Sequence, residues 1–366
     1  MTLALTRLTL SHFRSHKHST ITCDSRPIAI HGANGAGKTN ILEAVSLFSP
    51  GRGLRRASAQ EMTRRPEAVG WKLTGLLETG STKQEIVTWS DEGAARQVKI
   101  NDKAAPQTRL GEICRVIWLI PAMDRLWIEG AEGRRRFLDR TALSFFPDHA
   151  QAALTYEKCM RERNRLLKEQ IRDAHWYRAL EDQMAQSGAQ IHRNRSATVA
   201  FLTDAQANAQ TAFPIAELEI QQTEGAIPTT EQDFKEAFAE SRSRDIMAGR
   251  TLVGPHRSDL YGTYLAKGVP AADCSTGEQK ALLISLILAN ARALAAQIGA
   301  APILLLDEVA AHLDASRRAA LYDEICALGA QAWMTGTEKG LFDALGDRGQ
   351  YLTITEEDGI SQSAPS

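Results

Sequence analysis

The sequence predicts an α/β lobe, in which a mixed sheet has flanking helices and an additional antiparallel sheet, with a mainly helical second lobe inserted into it. Three observations predict this fold: a strand, glycine-rich loop and helix near the N-terminus, a wholly apolar strand pattern late in the chain, and a long stretch of helical spacing between them. Short, wholly apolar strands are typical of parallel sheets that are covered on both faces. A chain of 366 residues, 43% of them hydrophobic, is long enough to form two such lobes.

The first observation is HGANGAGKTN at residues 31–40, between a strand pattern, PIAI, and a helical pattern, KTNILEAVSLF. Glycines at this spacing let several backbone N–H groups converge on a polyphosphate at a helix N-terminus, where the helix dipole favours negative charge. The pattern GxxxxGK followed by Ser or Thr therefore predicts a nucleoside triphosphate site, in which Lys38 reaches the outer phosphates and Thr39 ligates Mg²⁺. The residues that we assign to this site are Gly32, Asn34, Gly35, Gly37, Lys38, Thr39 and Asn40.

Strand patterns follow the first helix. WKLTGLLET, KQEIVTWS and ARQVKIND, the last with an Asn-Asp turn signal, predict an antiparallel sheet beside the phosphate-binding loop. A further strand, RVIWLI, ends at Pro121. We therefore expect the first part of the α/β lobe to span residues 1–121.

Helical spacing with interleaved basic residues dominates residues 134 to about 210. It predicts a helical lobe over residues 122–248, after which residues 249–366 return to the α/β lobe. The alternative is the base of a long coiled coil. Because the heptad spacing does not persist, and Pro147 and Pro214 interrupt it, a compact helical bundle is favoured.

The wholly apolar strand lies in APILLLDEVAAHLD at residues 301–314. Asp307 follows the strand at its carboxyl end, where it would hold Mg²⁺, through water, beside Thr39. Glu308 comes next, where a carboxylate can orient and polarise the water that attacks the γ-phosphate. The alternative is an ordinary strand that ends in two solvated acids, and the phosphate-binding loop elsewhere in the chain favours the catalytic interpretation.

CSTGEQK at residues 274–280 opens a long apolar helix pattern. In one interpretation Ser275 is an N-cap, and Glu278 completes a capping box. In the other, Ser275 and the N–H group of Gly277 donate to the γ-phosphate, because phosphoryl transfer needs donors on every side and one loop covers only part of that group. The triphosphate site favours the second interpretation.

The order of these motifs, a phosphate-binding loop, a distant Ser-x-Gly helix start and a strand ending in Asp-Glu, resembles that of ATP-binding-cassette (ABC-type) ATPases. More specifically, the chain resembles the RecF family of bacterial DNA replication and repair proteins. The matching segments are LTLSHFRSH, GANGAGKTNILEAVSLF, GRGLR, IPAMDRLWIEGAEGRRRFLDR, VGPHRSDL, STGEQKALL, LLLDEVAAHLD and TGT. The combination of GRRRFLD with GPHR is much more particular than a phosphate-binding loop.

The resemblance implies a cytoplasmic, nucleoid-associated ATPase related to chromosome-maintenance ATPases but without their long coiled coils. It implies ATP and Mg²⁺ as cofactors, with slow, DNA-stimulated hydrolysis acting as a switch. It also implies an ATP-dependent homodimer that binds double-stranded or gapped DNA and, with RecR and RecO, helps to load RecA. No membrane partner is expected.

By position, the resemblance implies roles at the nucleotide for Arg14, Lys38, Thr39, Ser275, Asp307, Glu308 and Asp314. Lys38 and Glu308 are the implied catalytic residues, Thr39 and Asp307 the implied Mg²⁺ ligands, and Asp314 falls where a dimer-interface aspartate lies. Arg14, in HFRSH, matches a residue near the nucleotide.

The chain departs from the related patterns at two positions. Thr335 and Thr337 stand where transporter ATPases carry a histidine, although a threonine hydroxyl can also hydrogen-bond a phosphate. Ser258 stands where an acidic residue is more usual in the family. No role follows from the sequence for Ser258. His312 lies between Asp307 and Asp314, so both a nucleotide-linked role and a dimer-contact role stay open for it.

Positive charge is unevenly distributed in a chain whose net charge is −1. Residues 1–72 contain 11 Lys and Arg against 4 Asp and Glu, and residues 131–172 contain 10 against 6. Such stretches are typical either of an ordinary solvated surface or of a phosphate-facing patch. The candidates for DNA contact are Arg52, Arg55, Arg56, Arg64, Arg65, Arg161, Arg163 and Arg165.

Other functions are less consistent with the sequence. A transporter ATPase subunit would share the phosphate-binding loop and the Ser-x-Gly helix, but the helical insertion and the absent histidine argue against it. An SMC-like structural protein would need persistent heptads.

The five cysteines are scattered, which predicts a reduced cytosol and no structural zinc. His12, His16 and His18 alternate like a solvated strand face, and the apolar residues 281–299 are interrupted by polar ones, which favours a buried helix over a bilayer span.

Overall fold

The computed structural model describes residues 2–222 and 225–366, apart from the side chain of His312. The chain divides into two compact units. Lobe I consists of Met1–Asp124, Ala205–Ile215 and Ser275–Ser366, and lobe II consists of Arg125–Asp204 and Ala216–Cys274. The role of the His312 side chain, which the sequence left open, lies outside the described residues.

The division differs from the prediction where the chain returns from lobe II. Residues 249–274 belong to lobe II and not to the α/β lobe, and residues 205–215 belong to lobe I. The first difference arises from strand pairing, because Ser258–Tyr264 forms an antiparallel ladder with Ala216–Gln222 of lobe II. A local sequence pattern does not reveal such a long-range partner.

The regular elements are numbered in chain order. The strands are β1 Leu3–Phe13, β2 His16–Thr22, β3 Ile28–His31, β4 Trp71–Thr79, β5 Thr82–Ser90, β6 Gln97–Ile100, β7 Lys103–Ala104, β8 Val116–Leu119, β9 Ala216–Gln222, β10 Ser258–Tyr264, β11 Val269–Pro270, β12 Ile303–Leu306, β13 Ala332–Gly336, β14 Gln350–Glu357 and β15 Ile360–Pro365. The helices are α1 Lys38–Ser46, α2 Ala59–Met62, α3 Leu110–Ile113, α4 Ala131–Phe145, α5 His149–Lys168, α6 Ala174–Ala207, α7 Glu231–Ala248, α8 Thr276–Ile298 and α9 Ala315–Leu328.

The central sheet of lobe I has the strand order β15-β14-β3-β13-β12-β8. Its strands from β14 to β8 are parallel to their neighbours, and β15 is antiparallel to β14. β12 and β13 are buried along their whole length, as the apolar pattern at residues 303–306 predicted. Because the carboxyl ends of parallel strands meet at one edge of a sheet, the residues that follow β3 and β12 lie at the same edge.

The second sheet of lobe I is antiparallel, with the order β2-β1-β4-β5-β6-β7. The pairing of β4, β5 and β6 confirms the antiparallel sheet predicted from their alternating patterns. One core joins the two sheets to α1, which contributes the fully buried Ile41, Leu42 and Val45. Burial of each such side chain stabilises the fold by about 1.5–3 kcal/mol relative to exposure, so α1 is held firmly against both sheets.

The most apolar helix of lobe I is α8. It is long and apolar enough by composition to cross a bilayer, but 72% of its most apolar stretch is buried inside the structure. Asn290 is buried within it, and Arg292 forms an ion pair with Glu324 of α9. These contacts are those of a core helix, as the interrupted apolar run predicted.

Lobe II contains α4, α5 and α7 and most of α6, and also a three-stranded antiparallel sheet with the order β11-β10-β9. The lobe is therefore mainly helical, as predicted. The sheet was not predicted, because AELEIQQ and SDLYGTY are short alternating segments that flank a helix and pair only in the folded chain. Tyr156, Met184, Phe234 and Phe238 belong to its hydrophobic core.

Arg163 lies at the centre of a buried ion network in lobe II. Its Nη1 atom donates to Asp245 Oδ2 over 2.7 Å, and its Nη2 atom donates to Glu181 Oε1 over 3.0 Å. The guanidinium is fully buried and also lies over the rings of Tyr177 and Phe238. The structure therefore removes Arg163 from the predicted DNA candidates, because a buried guanidinium bound to two carboxylates cannot reach a phosphate.

Lobe II also explains Ser258, for which the sequence gave no role. Its buried hydroxyl donates to the carbonyl oxygen of Pro255 and accepts a 2.7 Å hydrogen bond from Arg195 Nη1. Arg195 in turn forms a bidentate ion pair with Asp139. Arg195 also donates to the carbonyl oxygen of Pro255, so the neutral Ser258 hydroxyl gives it a third partner without adding another buried charge. Ser258 therefore serves internal packing of lobe II.

Candidate nucleotide site

The loop between β3 and α1 has the shape that its glycines predicted. Gly37 is the N-cap of α1 and has φ 102°, a left-handed conformation that favours glycine. A Cβ atom on Gly37 would lie 2.3 Å from Ser361 Oγ, and one on Gly32 would lie 2.1 Å from the carbonyl oxygen of Ile354. Both positions therefore need glycine for space as well as for conformation.

Lys38 begins α1, and its ammonium group folds back over the loop. Its Nζ atom donates to the carbonyl oxygens of Gly32 and Ala33 over 2.7 and 2.8 Å. Burial lowers the pKa of Lys38, and the nearby carboxylates of Glu308 and Asp307 oppose that shift. The structure thus brings together the loop lysine and the two carboxylates that the sequence assigned to one site.

The Asp307 carboxylate forms hydrogen bonds with side chains from two other segments of lobe I. Its Oδ1 atom accepts hydrogen bonds from Thr39 Oγ1 over 2.9 Å and from Thr335 Oγ1 over 2.7 Å. Thr39 follows β3, Asp307 follows β12 and Thr335 belongs to β13, so the carboxyl edge of the sheet unites residues that are far apart in sequence. The predicted proximity of Thr39 and Asp307 is therefore present in the fold.

The donors at this edge fit Mg²⁺. A threonine hydroxyl and one carboxylate are hard oxygen ligands, and Mg²⁺ is commonly held by one or two protein carboxylates together with waters and phosphates. Among the residues that the structure describes, no cluster of three or more His, Cys, Asp and Glu side chains could form an all-protein metal cage. Thr39 and Asp307 supply oxygen donors of the kind that Mg²⁺ prefers.

Side chains from outside the phosphate-binding loop contact its backbone carbonyl groups. His16 is buried, with Nδ1 3.0 Å from Ser19 Oγ and Nε2 3.3 Å from the carbonyl oxygen of Gly37, and burial lowers its pKa. Ser361 of β15 donates to the carbonyl oxygen of Ala36 over 2.7 Å. The expectation of a solvated histidine face is thus wrong for His16, and nothing in the sequence around Ser361 indicated its role.

Arg14 lies beside α1, the helix that follows the loop. It forms a bidentate ion pair with Glu43, with distances of 2.9 and 2.7 Å, and its Nη1 atom donates to the carbonyl oxygen of Glu61. Glu43 is fully buried and also accepts from Arg55, which donates in addition to Asn40 Oδ1 over 2.8 Å. Arg14 and Arg55 are thus anchored to the nucleotide helix by one shared carboxylate.

Ser275 is the N-cap of α8, and the capping box is present. The N–H and hydroxyl groups of Ser275 both donate to Glu278 Oε2 over 2.9 Å, and Ser275 Oγ accepts from the Glu278 N–H group. Within the described part of the chain, Ser275 makes no hydrogen bond to the phosphate-binding loop. Ser275 and Gly277 are exposed, and so is Asp314, which caps α9 by accepting from the N–H group of Arg317.

The basic candidates of lobe I differ in their exposure. Arg52, Arg56 and Arg65 are exposed, and so is Arg55, although it forms an ion pair with the buried Glu43. Arg64, by contrast, is only 5% exposed and donates to the carbonyl oxygens of Ser15 and Gly359. The structure removes Arg64 from the predicted DNA surface, because its guanidinium fastens the β1–β2 turn to the β14–β15 turn.

The loop that carries Arg52 is braced from the antiparallel sheet. Arg96 donates to the carbonyl oxygens of Leu47 and Gly51 and to Thr88 Oγ1. Burial lowers the pKa of Arg96 to about 10.

The basic candidates of lobe II, Arg161 and Arg165, line a cavity of about 370 Å³ on the surface of α5. The other lining residues are Asn164, Lys168 and Glu169.

Comparison with known proteins gives this site its context. Residues 4–362 match the family model described as the RecF/RecN/SMC N terminal domain. The chain is 46% identical to the DNA replication and repair protein RecF of Rhizobium rhizogenes, over 98% of both chains, and 45% identical to that of Rhizobium etli, over 97% of this chain and 98% of the relative. The chain belongs to the RecF family. The resemblance predicted from the motifs is confirmed, and the full-length match disfavours the transporter alternative.

Solved structures agree with this assignment at the level of fold. A structure of the recombination mediator protein RecF-ATPrS in the RecFOR pathway has a TM-score of 0.84 at 24% identity and covers 99% of this chain and 98% of its own. An Smc head domain from Pyrococcus furiosus has a TM-score of 0.58 at 15% identity, covering all of this chain and 96% of its own. The RecF-family chain therefore has the ABC-type ATPase fold with an inserted lobe, as predicted.

Proposed function

We propose that this chain is an ATP-dependent DNA-binding protein of recombinational repair, whose ATP-bound dimer clamps double-stranded DNA near single-strand gaps. With RecR and RecO it promotes the loading of RecA, and slow, DNA-stimulated ATP hydrolysis resets it. The observation that carries the proposal is the junction of Thr39, Asp307 and Thr335 beside Lys38, in a chain whose relatives are DNA replication and repair proteins. The protein would act in the cytoplasm, on the nucleoid.

The proposed chemistry is phosphoryl transfer from ATP to water. Mg²⁺, when bound with ATP, neutralises charge that develops on the phosphate oxygens. Thr39 and Asp307 would hold it, Lys38 would contact the outer phosphates, and Glu308 would orient and deprotonate the attacking water. The remaining proposed contacts to the nucleotide are Gly32, Asn34, Gly35, Gly37, Asn40 and Arg14.

Phosphoryl transfer needs donors on every side of the γ-phosphate, and among the described residues Ser275 makes no hydrogen bond to the phosphate-binding loop. Ser275 and Gly277 lie exposed at the start of α8, and a Cβ atom on Gly277 would meet no atom within 4 Å. A second copy of the chain could therefore approach this helix start closely. In the proposed dimer, Ser275 and Gly277 of each copy complete the phosphate site of the other, and Asp314 lies in the same interface.

Two exposed basic surfaces are proposed to contact the DNA backbone. In lobe I the surface consists of Arg52, Arg56 and Arg65, with Arg55 as a support that is paired to Glu43. In lobe II it consists of Arg161 and Arg165 on α5. Contacts of this kind are independent of base sequence and release counterions, so binding should weaken steeply as salt increases.

The proposal is tested by analytical ultracentrifugation of the purified chain with and without Mg-ATP and a gapped duplex. We expect a monomer without nucleotide, a dimer with ATP, and co-sedimentation with DNA only when ATP is present. RecR added to the ATP-bound sample should join the DNA complex. A chain that stays monomeric at saturating Mg-ATP, or that binds DNA equally well without nucleotide, would contradict the clamp.

The lobe I surface makes a separate prediction. Replacement of Arg52 and Arg56 by Ala should weaken ATP-dependent DNA binding uniformly across sequences and lower the slope of log K against log salt by about 2, since each lost phosphate contact lowers it by about 1. The measurement is fluorescence anisotropy of a labelled duplex over a salt series. Arg109→Ala, which removes an exposed arginine paired with Glu112, is the control and should leave the slope unchanged.

A further inference from the structure

The hydroxyl of Thr335 contacts both residues of the Asp307–Glu308 pair. Thr335 Oγ1 donates to Asp307 Oδ1 over 2.7 Å and accepts from the N–H group of Glu308 over 3.0 Å. Thr335 is 1% exposed, so solvent does not compete for these bonds. One buried hydroxyl thus connects the side chain of the first acidic residue to the backbone of the second.

The sheet register explains why this threonine meets these two residues. In the parallel ladder of β12 and β13, Leu306 is paired with Met334. The next residues, Asp307 and Thr335, therefore lie side by side where β12 ends. A β-branched side chain in a strand has few accessible χ1 rotamers, which holds the hydroxyl in one direction.

The backbone of Glu308 has an uncommon conformation at this position. Its φ of 55° is left-handed, a region that few non-glycine residues adopt. The N–H group that donates to Thr335 belongs to this same residue. The hydrogen bond therefore holds the turn that decides where the Glu308 side chain leaves the strand.

The donor capacity of the hydroxyl argues against direct contact with a phosphate. A threonine hydroxyl has one proton to donate, and here Asp307 accepts it. A hydrogen bond from Thr335 to a phosphate would break that contact. The arrangement thus differs from the expectation that a threonine here could take the place of the phosphate-binding histidine of transporter ATPases.

We propose that Thr335 is a positioning residue for ATP hydrolysis. It orients the Asp307 carboxylate toward Thr39 and fixes the left-handed turn that directs Glu308, and it touches neither the phosphate nor the water. This inference rests on the proposed function, because it assigns a role within the same site.

The test compares Thr335→Val, which keeps the shape and removes the hydroxyl, with Thr335→Ser, which keeps the hydroxyl. We expect Thr335→Val to lower kcat by about 10–100-fold, the usual effect of losing a residue that orients a metal ligand, with little change in KM for ATP. Thr335→Ser should recover kcat to within a few-fold. In nucleotide-free protein, hydrogen exchange at the Glu308 amide should be faster in Thr335→Val and unchanged in Thr335→Ser.

Thr198→Val is the control, because Thr198 of lobe II is also buried and its hydroxyl donates to the carbonyl oxygen of Asn194. Its kcat should equal that of the wild type. Equal kcat in Thr335→Val and wild type, or equal losses in the Val and Ser variants, would overturn the inference. If Thr335→Val does not fold, Thr335→Ala takes its place. If ATP hydrolysis by the wild-type protein does not depend on Glu308, the proposed function is contradicted instead. Hydrogen exchange at the Glu308 amide would still test its hydrogen bond to Thr335.

Discussion

Glu308→Gln is expected to lower ATP hydrolysis by about 10²–10⁴-fold, the usual contribution of a general base, while ATP binding persists. The amide keeps the shape of the side chain but cannot accept the proton of the attacking water. Because the proposed dimer reopens only after hydrolysis, this variant should accumulate as an ATP-bound dimer that retains DNA. Size-exclusion chromatography with light scattering measures the dimer, and challenge with excess competitor duplex measures retention.

Lys38→Ala tests the opposite end of the same cycle. The Lys38 ammonium folds over the phosphate-binding loop, so its removal should abolish ATP-dependent dimerisation and DNA retention together. The control for the Glu308→Gln variant is Glu85→Gln, which removes the carboxylate of an exposed residue on β5 and should behave as wild type. A Glu308→Gln protein that remains monomeric at saturating Mg-ATP would refute nucleotide-gated closure, even if it binds ATP normally.

Arg163→Met should destabilise lobe II by about 3–5 kcal/mol, the cost expected when one partner of a buried ion pair is removed. The reason is that the buried Asp245 carboxylate loses its cation, while Glu181 keeps only its ion pair with Arg242. Urea denaturation measures the free energy of unfolding, and hydrogen exchange in α5–α7 shows whether the loss is confined to lobe II.

Two comparisons make the Arg163 prediction specific. Arg165→Ala changes the same helix at an exposed position and should alter stability by no more than about 0.5 kcal/mol. Removal of two charges together, as Arg163→Met with Asp245→Asn, should cost less than Arg163→Met alone, because Glu181 keeps its ion pair with Arg242 and no buried carboxylate is left without a cation. A loss below about 1 kcal/mol for Arg163→Met would show that water or a rearranged side chain can compensate the two carboxylates.

Local patterns predicted the elements that carry the nucleotide site. The stretch from β3 to α1 is recognisable because glycine spacing, a buried strand and a helix start all lie within about twenty residues. The pattern at residues 303–308 is equally local, since an apolar strand followed by acids needs no distant partner to be recognised. The capping box at Ser275 was also readable, because its two members are three residues apart.

Several features that depend on distant partners were not predicted, although the proximity of Thr39 and Asp307 was. The sequence alone ranked Arg163 with Arg161 and Arg165, although the fold buries the first and exposes the others. Arg64 and Arg65 are neighbours in sequence, yet only Arg64 is enclosed by backbone carbonyls from two turns. Alternating basic residues carry no sign of which one will meet a buried carboxylate or carbonyl group.

The amino-acid sequence by itself determined that this RecF-family chain has a phosphate-binding loop, an acidic strand end and an inserted helical lobe. The first two are each encoded by spacing within one short segment, and the third by helical spacing that persists over a long one. Only the tertiary structure decided that Thr335 joins Asp307 to Glu308, that His16 and Ser361 support the loop, and that residues 249–274 belong to lobe II. These contacts form between segments whose proximity is set by sheet register and burial. Neither quantity is a property of any one segment alone.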